Sequence, residues 1–324
     1  MLENISACPI CENHQFSSFL TCKDYTVSGE EFHLQKCLNC GFIFTSPRPS
    51  SDVLGNYYKS ENYISHSDTQ KGLINKLYHL ARKIALQRKL KLVQRINHFR
   101  KGTILDFGCG TGYFLKTCLQ AGWQAEGIEP DENARQFASN YTGKQIFSSL
   151  QEIYSKKFSF TLSSFQGRYE GGSNDFSMQN HNIIDNKFDI ITLWHVLEHI
   201  PSLNETLSEL KNLLNPQGKL VIAVPNRESW DAQVFQQFWA AYDVPRHLWH
   251  FSKKDMKALC HKHNLKILEI LPMPFDAYYI SLMSSKYQTG KIQILKGFWQ
   301  GFLSNLKAGK QNTSSLIYVA KADE

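Results

Sequence analysis

Four cysteines in two tight pairs, Cys8-Pro-Ile-Cys11 and Cys37-Leu-Asn-Cys40, are the densest chemistry in this sequence. Two residues between partners let both thiolates turn toward one ion, and the 25 residues between the pairs let the two knuckles meet. Four sulfur donors suit a tetrahedral Zn²⁺, and a site whose four positions are all filled by protein is structural. A module this small would need the metal in order to fold. The other four of the eight cysteines are scattered singly, which fits a reducing compartment better than a disulfide framework.

A second constellation is Ile104-Leu105-Asp106-Phe107-Gly108-Cys109-Gly110-Thr111-Gly112-Tyr113-Phe114: an apolar strand, a glycine-dense turn and a helix start. Glycines there let the backbone approach a ligand beside a helix N-terminus. Glu129, 19 residues beyond Gly110, ends the next strand, where a carboxylate can accept both hydroxyls of a ribose. A dinucleotide fingerprint would need glycine at Tyr113, which disfavours a dehydrogenase. The alternative is that the glycines only make a tight turn and Glu129 is a surface residue.

Two further stretches concentrate histidine. His195-Val-Leu-Glu198-His199 reads as H-x-x-E-H, a metallopeptidase zinc motif, if one helix runs through all five residues. Here the strand pattern Asp189 to Trp194 stops at His195 and Pro201 follows closely, which argues against that helix. His195 is instead expected at a strand end, where ligands of open α/β sheets bind, while His199 is either structural or a helix-start residue. Asp243-Val-Pro-Arg246-His247-Leu-Trp249-His250-Phe-Ser252 gathers an acid, an arginine, two histidines and a tryptophan just before a helix cap at Ser252. Such a loop is either a binding surface or a rigid connection with Trp249 and Phe251 in the core.

The elements that must position these residues follow from the hydrophobic pattern. Residues 1–50 are short, cysteine-punctuated and strand-like, and Pro47-Arg48-Pro49-Ser50 closes them. From 71 to 99 apolar residues recur at helical spacing, and 51–101 is read as a linker and basic helix. Beyond 102, strands at 103–107, 125–129, 188–194, 219–224, 265–271 and 316–320 alternate with helices, which predicts a parallel sheet covered on both faces. Segments 155–187 and 276–307 read as insertions in this 102–324 domain. With 324 residues, 42% hydrophobic and 13% aromatic, wholesale disorder is excluded. No apolar run reaches the roughly 18 residues of a membrane span and no signal pattern opens the chain, so a cytoplasmic location is expected. The net charge of +7 is local: 71–101 holds ten Lys and Arg and no acid, leaving 26 cations against all 29 acids. That face is either solvated or suited to phosphates of nucleic acid, lipid or a nucleotide-linked substrate.

At this point a family resemblance becomes specific. Asp106-x-Gly-Cys-Gly-Thr-Gly, the Glu129 position, Phe188 to His199 and Leu214-Asn-Pro-Gln-Gly-Lys-Leu-Val-Ile-Ala-Val-Pro225 resemble successive motifs of class I S-adenosylmethionine (SAM) dependent methyltransferases. The resemblance implies a Rossmann-like seven-stranded sheet. It also implies that Asp106, Gly108 and Gly110 surround the methionine part of SAM and Glu129 its ribose, with Cys109, Gly112 and Trp194 as further cofactor contacts. The paired cysteines followed by Tyr57-Tyr58 and Tyr63 are similar to bacterial methyltransferases with an N-terminal zinc module, among them sugar C-methyltransferases. By that likeness Tyr57, Tyr63, Arg246 and His250 border the acceptor, a small molecule or glycan precursor methylated on oxygen or carbon. RNA methylation is the rival, although Val224-Pro225-Asn226-Arg227 replaces the tetrapeptide of exocyclic amine methylation; a zinc-dependent interaction protein without turnover is another. Such a transfer needs a base, and His195 ranks ahead of His247 because a strand end holds a side chain more rigidly than a loop.

Overall fold

The computed structural model describes residues 1–58, 73–155, 187–309 and 311–323, and of 73–80 the backbone alone. The expected acceptor contact Tyr63 and nearly all of the 155–187 segment lie outside these residues. The described chain divides into two compact units, one of 1–85, 193–211 and 220–324, the other of 86–192 and 212–219.

The N-terminal stretch of the first unit is β1 (Leu2–Glu3), β2 (Phe16–Lys23), β3 (Glu31–Cys37), β4 (Ile43–Thr45) and β5 (Arg48–Pro49). Strands β2, β3 and β4 pair antiparallel, and β4 continues onto β10 (Trp249–His250), so the cysteine-bearing sheet closes on a strand some 200 positions later in the chain. Its apolar face, with Cys22, Phe32, Leu34 and Ile43, packs against Ala232, Phe235, Trp239, Tyr242, Val244 and Ile280. Residues 1–50 therefore share a core with later segments rather than enclosing their own.

Helices follow in the order α1 (Ser51–Leu54), α2 (Leu73–Ile96), α3 (Tyr113–Gln120), α4 (Glu132–Thr142), α5 (Leu203–Asn212), α6 (Trp230–Phe235), α7 (Lys253–Lys262), α8 (Asp276–Thr289) and α9 (Ile294–Ala308). The main sheet has the order β11-β12-β9-β8-β6-β7, with β6 (Thr103–Phe107), β7 (Gln124–Ile128), β8 (Phe188–Trp194), β9 (Leu214–Pro225), β11 (Leu265–Pro272) and β12 (Ser315–Ala322). Strands β6 and β8 begin and end where the sequence pattern places them.

Two expectations need correction. The sheet has six strands among the described residues, not seven: past β7 the chain makes only one parallel bridge, Ile128 to Phe147, held by Glu129 N–H to Phe147 O and Phe147 N–H to Gly127 O. The sheet is also mixed rather than parallel. Strand β12 runs antiparallel to both β9 and β11, because the chain leaves β11 through the helical hairpin α8–α9 and returns between them. Residues 276–307, read as an insertion, are that hairpin.

Candidate active site

The glycine-rich turn is a backbone device. Gly108, Gly110 and Gly112 all have positive φ (71°, 53° and 76°), the region that other residues avoid. At Gly112 the constraint is double, since an added Cβ would also lie 3.0 Å from the Ala138 Cβ. At Gly110 nothing lies within 4 Å of such a Cβ, which leaves open space above the turn. The turn is anchored by Cys109 N–H to Ile128 O and by Glu129, whose Oε2 accepts Gly110 N–H (2.8 Å) and whose Oε1 accepts Asp131 N–H (3.0 Å). Burial raises the Glu129 carboxyl above its usual range even against those donors. Asp106 is buried in β6, accepts from Thr192 Oγ1 (2.7 Å) and is pushed by burial to about 6. The open space, the glycine cradle and a carboxylate with lone pairs to spare fit the donor pattern of a ribose-bearing cofactor.

In the first unit, β8 ends at the half-buried Trp194, and His195 follows at φ 59°. Its Nδ1 lies 3.3 Å from Glu198 Oε1 and its Nε2 2.9 Å from Asp276 Oδ2, the first residue of α8. Burial alone would lower the imidazole; the carboxylates of Asp276 and Glu198 override it and push His195 up to about 10. Held by these two carboxylates, the ring is a clamped imidazolium at neutral pH.

The H-x-x-E-H helix does not form. Only Leu197–His199 makes a single 3₁₀ turn, and the positive φ of His195 turns the chain out of helical register. Glu198 and His199 instead meet His247, with one ligand-capable atom from each lying within 4.8 Å of the others. His199 Nδ1 lies 3.1 Å from Arg246 O and 2.9 Å from Tyr58 Oη, His247 Nδ1 lies 2.8 Å from Ala241 O, and the rings stand edge to face at 4.5 Å. Burial and the neighbouring His247 lower His199 to about 4. Glu198 is fully buried and its Oε2 has no hydrogen-bond partner among the described residues.

The other expected acceptor contacts are engaged within the protein. Arg246 is 1% exposed and donates to Asp24, Asp243 and the Tyr57 carbonyl. His250 is buried 3.0 Å from Thr45 Oγ1, and burial holds it well below the ordinary histidine value. Tyr57 donates its hydroxyl to Glu30 (2.9 Å). The structure thus brings His195, His199 and His247 together around Glu198, and leaves Arg246, His250 and Tyr57 in contacts that tie the N-terminal strands to the Asp243–Ser252 loop. Sequence reasoning passed over Asp276; its only local signal is an acid at the first position of a helix.

The four paired cysteines converge. Cys8 and Cys40 lie with Sγ atoms 3.5 Å apart, as do Cys11 and Cys37, and all four sulfurs fall within 4.8 Å of one another. Each knuckle closes through a residue at positive φ, Glu12 (62°) donating to Cys8 O and Gly41 (83°) to Cys37 O.

Residues 78–270 match a family model described as a methyltransferase domain, more than half of the chain. The chain belongs to this family, and it is a SAM-dependent methyltransferase. Curated relatives include the ubiquinone biosynthesis O-methyltransferases of Aromatoleum aromaticum (24% identical, 53% of this chain, 68% of that one) and Pasteurella multocida (22%, 62% and 78%). That of Glaesserella parasuis is 30% identical over 38% of this chain and 45% of its own. Among solved structures, magnesium protoporphyrin IX methyltransferase from Synechocystis is 12% identical and covers 85% of this chain and all of that one, with a TM-score of 0.49.

Proposed function

We propose that this chain transfers the methyl group of SAM to a hydroxyl of a small molecule, the kind of reaction for which its curated relatives are named. The observation that carries the acceptor side is the clamp on His195, a titratable ring held from both nitrogens directly after β8. Asp106, Gly108, Cys109, Gly110, Gly112, Glu129 and Trp194 hold the cofactor in this reading, and the open space over Gly110 supports it. When bound, SAM supplies an electrophilic methyl group that needs no further activation.

Residues of this chain must then remove the acceptor's proton. While Asp276 holds Nε2, the ring already carries its proton and accepts no other. An acceptor hydroxyl that takes the place of Asp276 lets the Nε2 proton leave with that carboxylate to solvent, and the vacated nitrogen then takes the hydroxyl proton as the oxygen gains its methyl. Glu198 keeps the ring oriented through Nδ1, and His247 stands behind as the second candidate base. Purified protein incubated with labelled SAM and a fractionated cell extract tests the reading, with mass spectrometry of the labelled product. A labelled O-methyl small molecule supports it; label confined to RNA, or none transferred, overturns it.

We further propose zinc at Cys8, Cys11, Cys37 and Cys40, within a module of residues 1–50. A tetrahedron of Zn–S bonds of about 2.3 Å sets sulfurs roughly 3.8 Å apart, close to the 3.5 Å of the two pairs. Elemental analysis should find one zinc per chain, lost in Cys37→Ser; zinc retained in that variant would point to Glu198, His199 and His247 instead.

A further inference from the structure

Helix α9 carries two unlike stripes, and methyl transfer uses neither. Gly297, Gly301, Ser304 and Ala308 form the buried stripe. A Cβ on Gly297 or Gly301 would lie 2.7 Å from the Cα of Leu282 or Tyr278, so α8 docks against this side and fixes the rotation of the helix. That rotation turns Ile294, Leu295, Phe298, Trp299, Phe302 and Leu306 outward. Leu295 is 87% exposed, Leu306 65%, Phe298 61% and Trp299 59%. Single exposed apolar residues are ordinary, but six large ones on one helical face mark an interaction surface.

Charge selects the occupant. Between 277 and 322 the only charged residues are Lys286, Lys291, Lys296, Lys307, Lys310 and Lys321. Lys291, Lys296 and Lys307 are exposed in and just before α9, alongside the apolar stripe. A second copy laid on this face would set lysine against lysine, with no carboxylate between 277 and 322 to pair with them. An anionic lipid surface meets both features, taking aromatic and leucine side chains at the level of the headgroups while its phosphates face the cations. At about 1.5 Å per residue, fifteen residues reach roughly 22 Å, short of a hydrocarbon core of about 30 Å. No helix of the described residues is long and apolar enough to cross a membrane.

We propose that α9 is a membrane-docking helix that lies in the plane of an anionic phospholipid bilayer, with its Ile294–Leu306 apolar face inserted and Lys291, Lys296 and Lys307 on headgroup phosphates. The test is cosedimentation of the full chain with vesicles of phosphatidylcholine containing phosphatidylglycerol, and with phosphatidylcholine alone. Binding should require phosphatidylglycerol and weaken with added salt. Each lysine at such a surface is worth about fivefold in partitioning, so Lys296→Gln with Lys307→Gln should weaken binding on the order of twentyfold. Leu295→Glu with Trp299→Glu should abolish it, with melting temperature and S-adenosylhomocysteine affinity unchanged because both side chains face solvent. Failure to bind phosphatidylglycerol vesicles, or binding indifferent to both double variants, overturns the proposal. So does a concentration-dependent dimer in sedimentation velocity that the Leu295/Trp299 variant disperses, because a second copy would then own the face. If the glutamate variant misfolds, the lysine variant still decides.

Discussion

The glycine-rich turn takes its shape from consecutive residues, 104 to 114, with distant partners in the adjacent Ile128 and Glu129, whereas the histidine cluster draws Tyr58, His195 to His199, His247 and Asp276 from four separated stretches. In the first region the backbone does the work: three glycines at positive φ and amide donors fixed by the strand before and the helix after. In the second, side chains do it, and each titratable group is defined by which others burial forces upon it. His195 at about 10 and His199 at about 4 sit four residues apart. The same residue type is driven in opposite directions by two carboxylates in one case and by burial beside another histidine in the other. Substitutions should therefore act on binding in the first region and on proton chemistry in the second.

The largest expected effect tests that division. His195→Ala should lower turnover by roughly 10² to 10⁴, the usual loss of general-base help, while S-adenosylhomocysteine affinity by calorimetry stays within a few fold. Abolished cofactor binding with turnover spared at saturating SAM would instead place His195 in the cofactor pocket, and His247 becomes the base to test.

Within the turn, the two glycines should separate. Gly112→Val imposes a β-branched residue at φ 76° against Ala138 and should cost about 2 to 3 kcal/mol of stability in denaturant titration. Gly110→Ala meets open space, so its backbone strain should cost only about 1 kcal/mol of stability. Its methyl group enters the proposed cofactor space, and affinity should fall by more than stability does. Equal losses in both variants would mean that the turn is merely structural. Glu129→Gln keeps the shape but removes the charge, and should weaken cofactor binding by roughly 1.5 to 3 kcal/mol.

The smallest effect concerns pH. His195 is raised from 6.5 to about 10 in the folded protein, so its clamp stabilises fully below pH 6.5 and is lost as pH rises through 10. Asp276→Asn should flatten that decline in melting temperature between the two values. It should also move the alkaline inflection of kcat/KM to lower pH, because the ring then loses its proton more easily. An inflection that does not move would remove Asp276 from the proton pathway and leave it a helix-end anchor.

Much of this architecture is legible in the sequence. Strands β6 and β8, the turn between β6 and α3, and the cap at Ser252, where the reciprocal Ser252–Asp255 bonds form, follow from period, propensity and local bonding within a few residues. The two cysteine knuckles are equally local, each a five-residue turn closed at positive φ. What the linear pattern could not carry is whatever depends on partners far along the chain. The antiparallel entry of β12 is set by the return path of the α8–α9 hairpin. Arg246 and His250, polar and in a loop, looked like binding residues until burial supplied Asp24, Asp243 and Thr45 as their partners. Asp276, 81 residues after His195, reaches it only because α8 begins beside the end of β8. Local backbone conformation is fixed by short-range sterics and hydrogen bonds, which sequence alone determines here. A side chain's charge state is fixed by the groups that share its dehydrated surroundings, and only the tertiary structure chooses those.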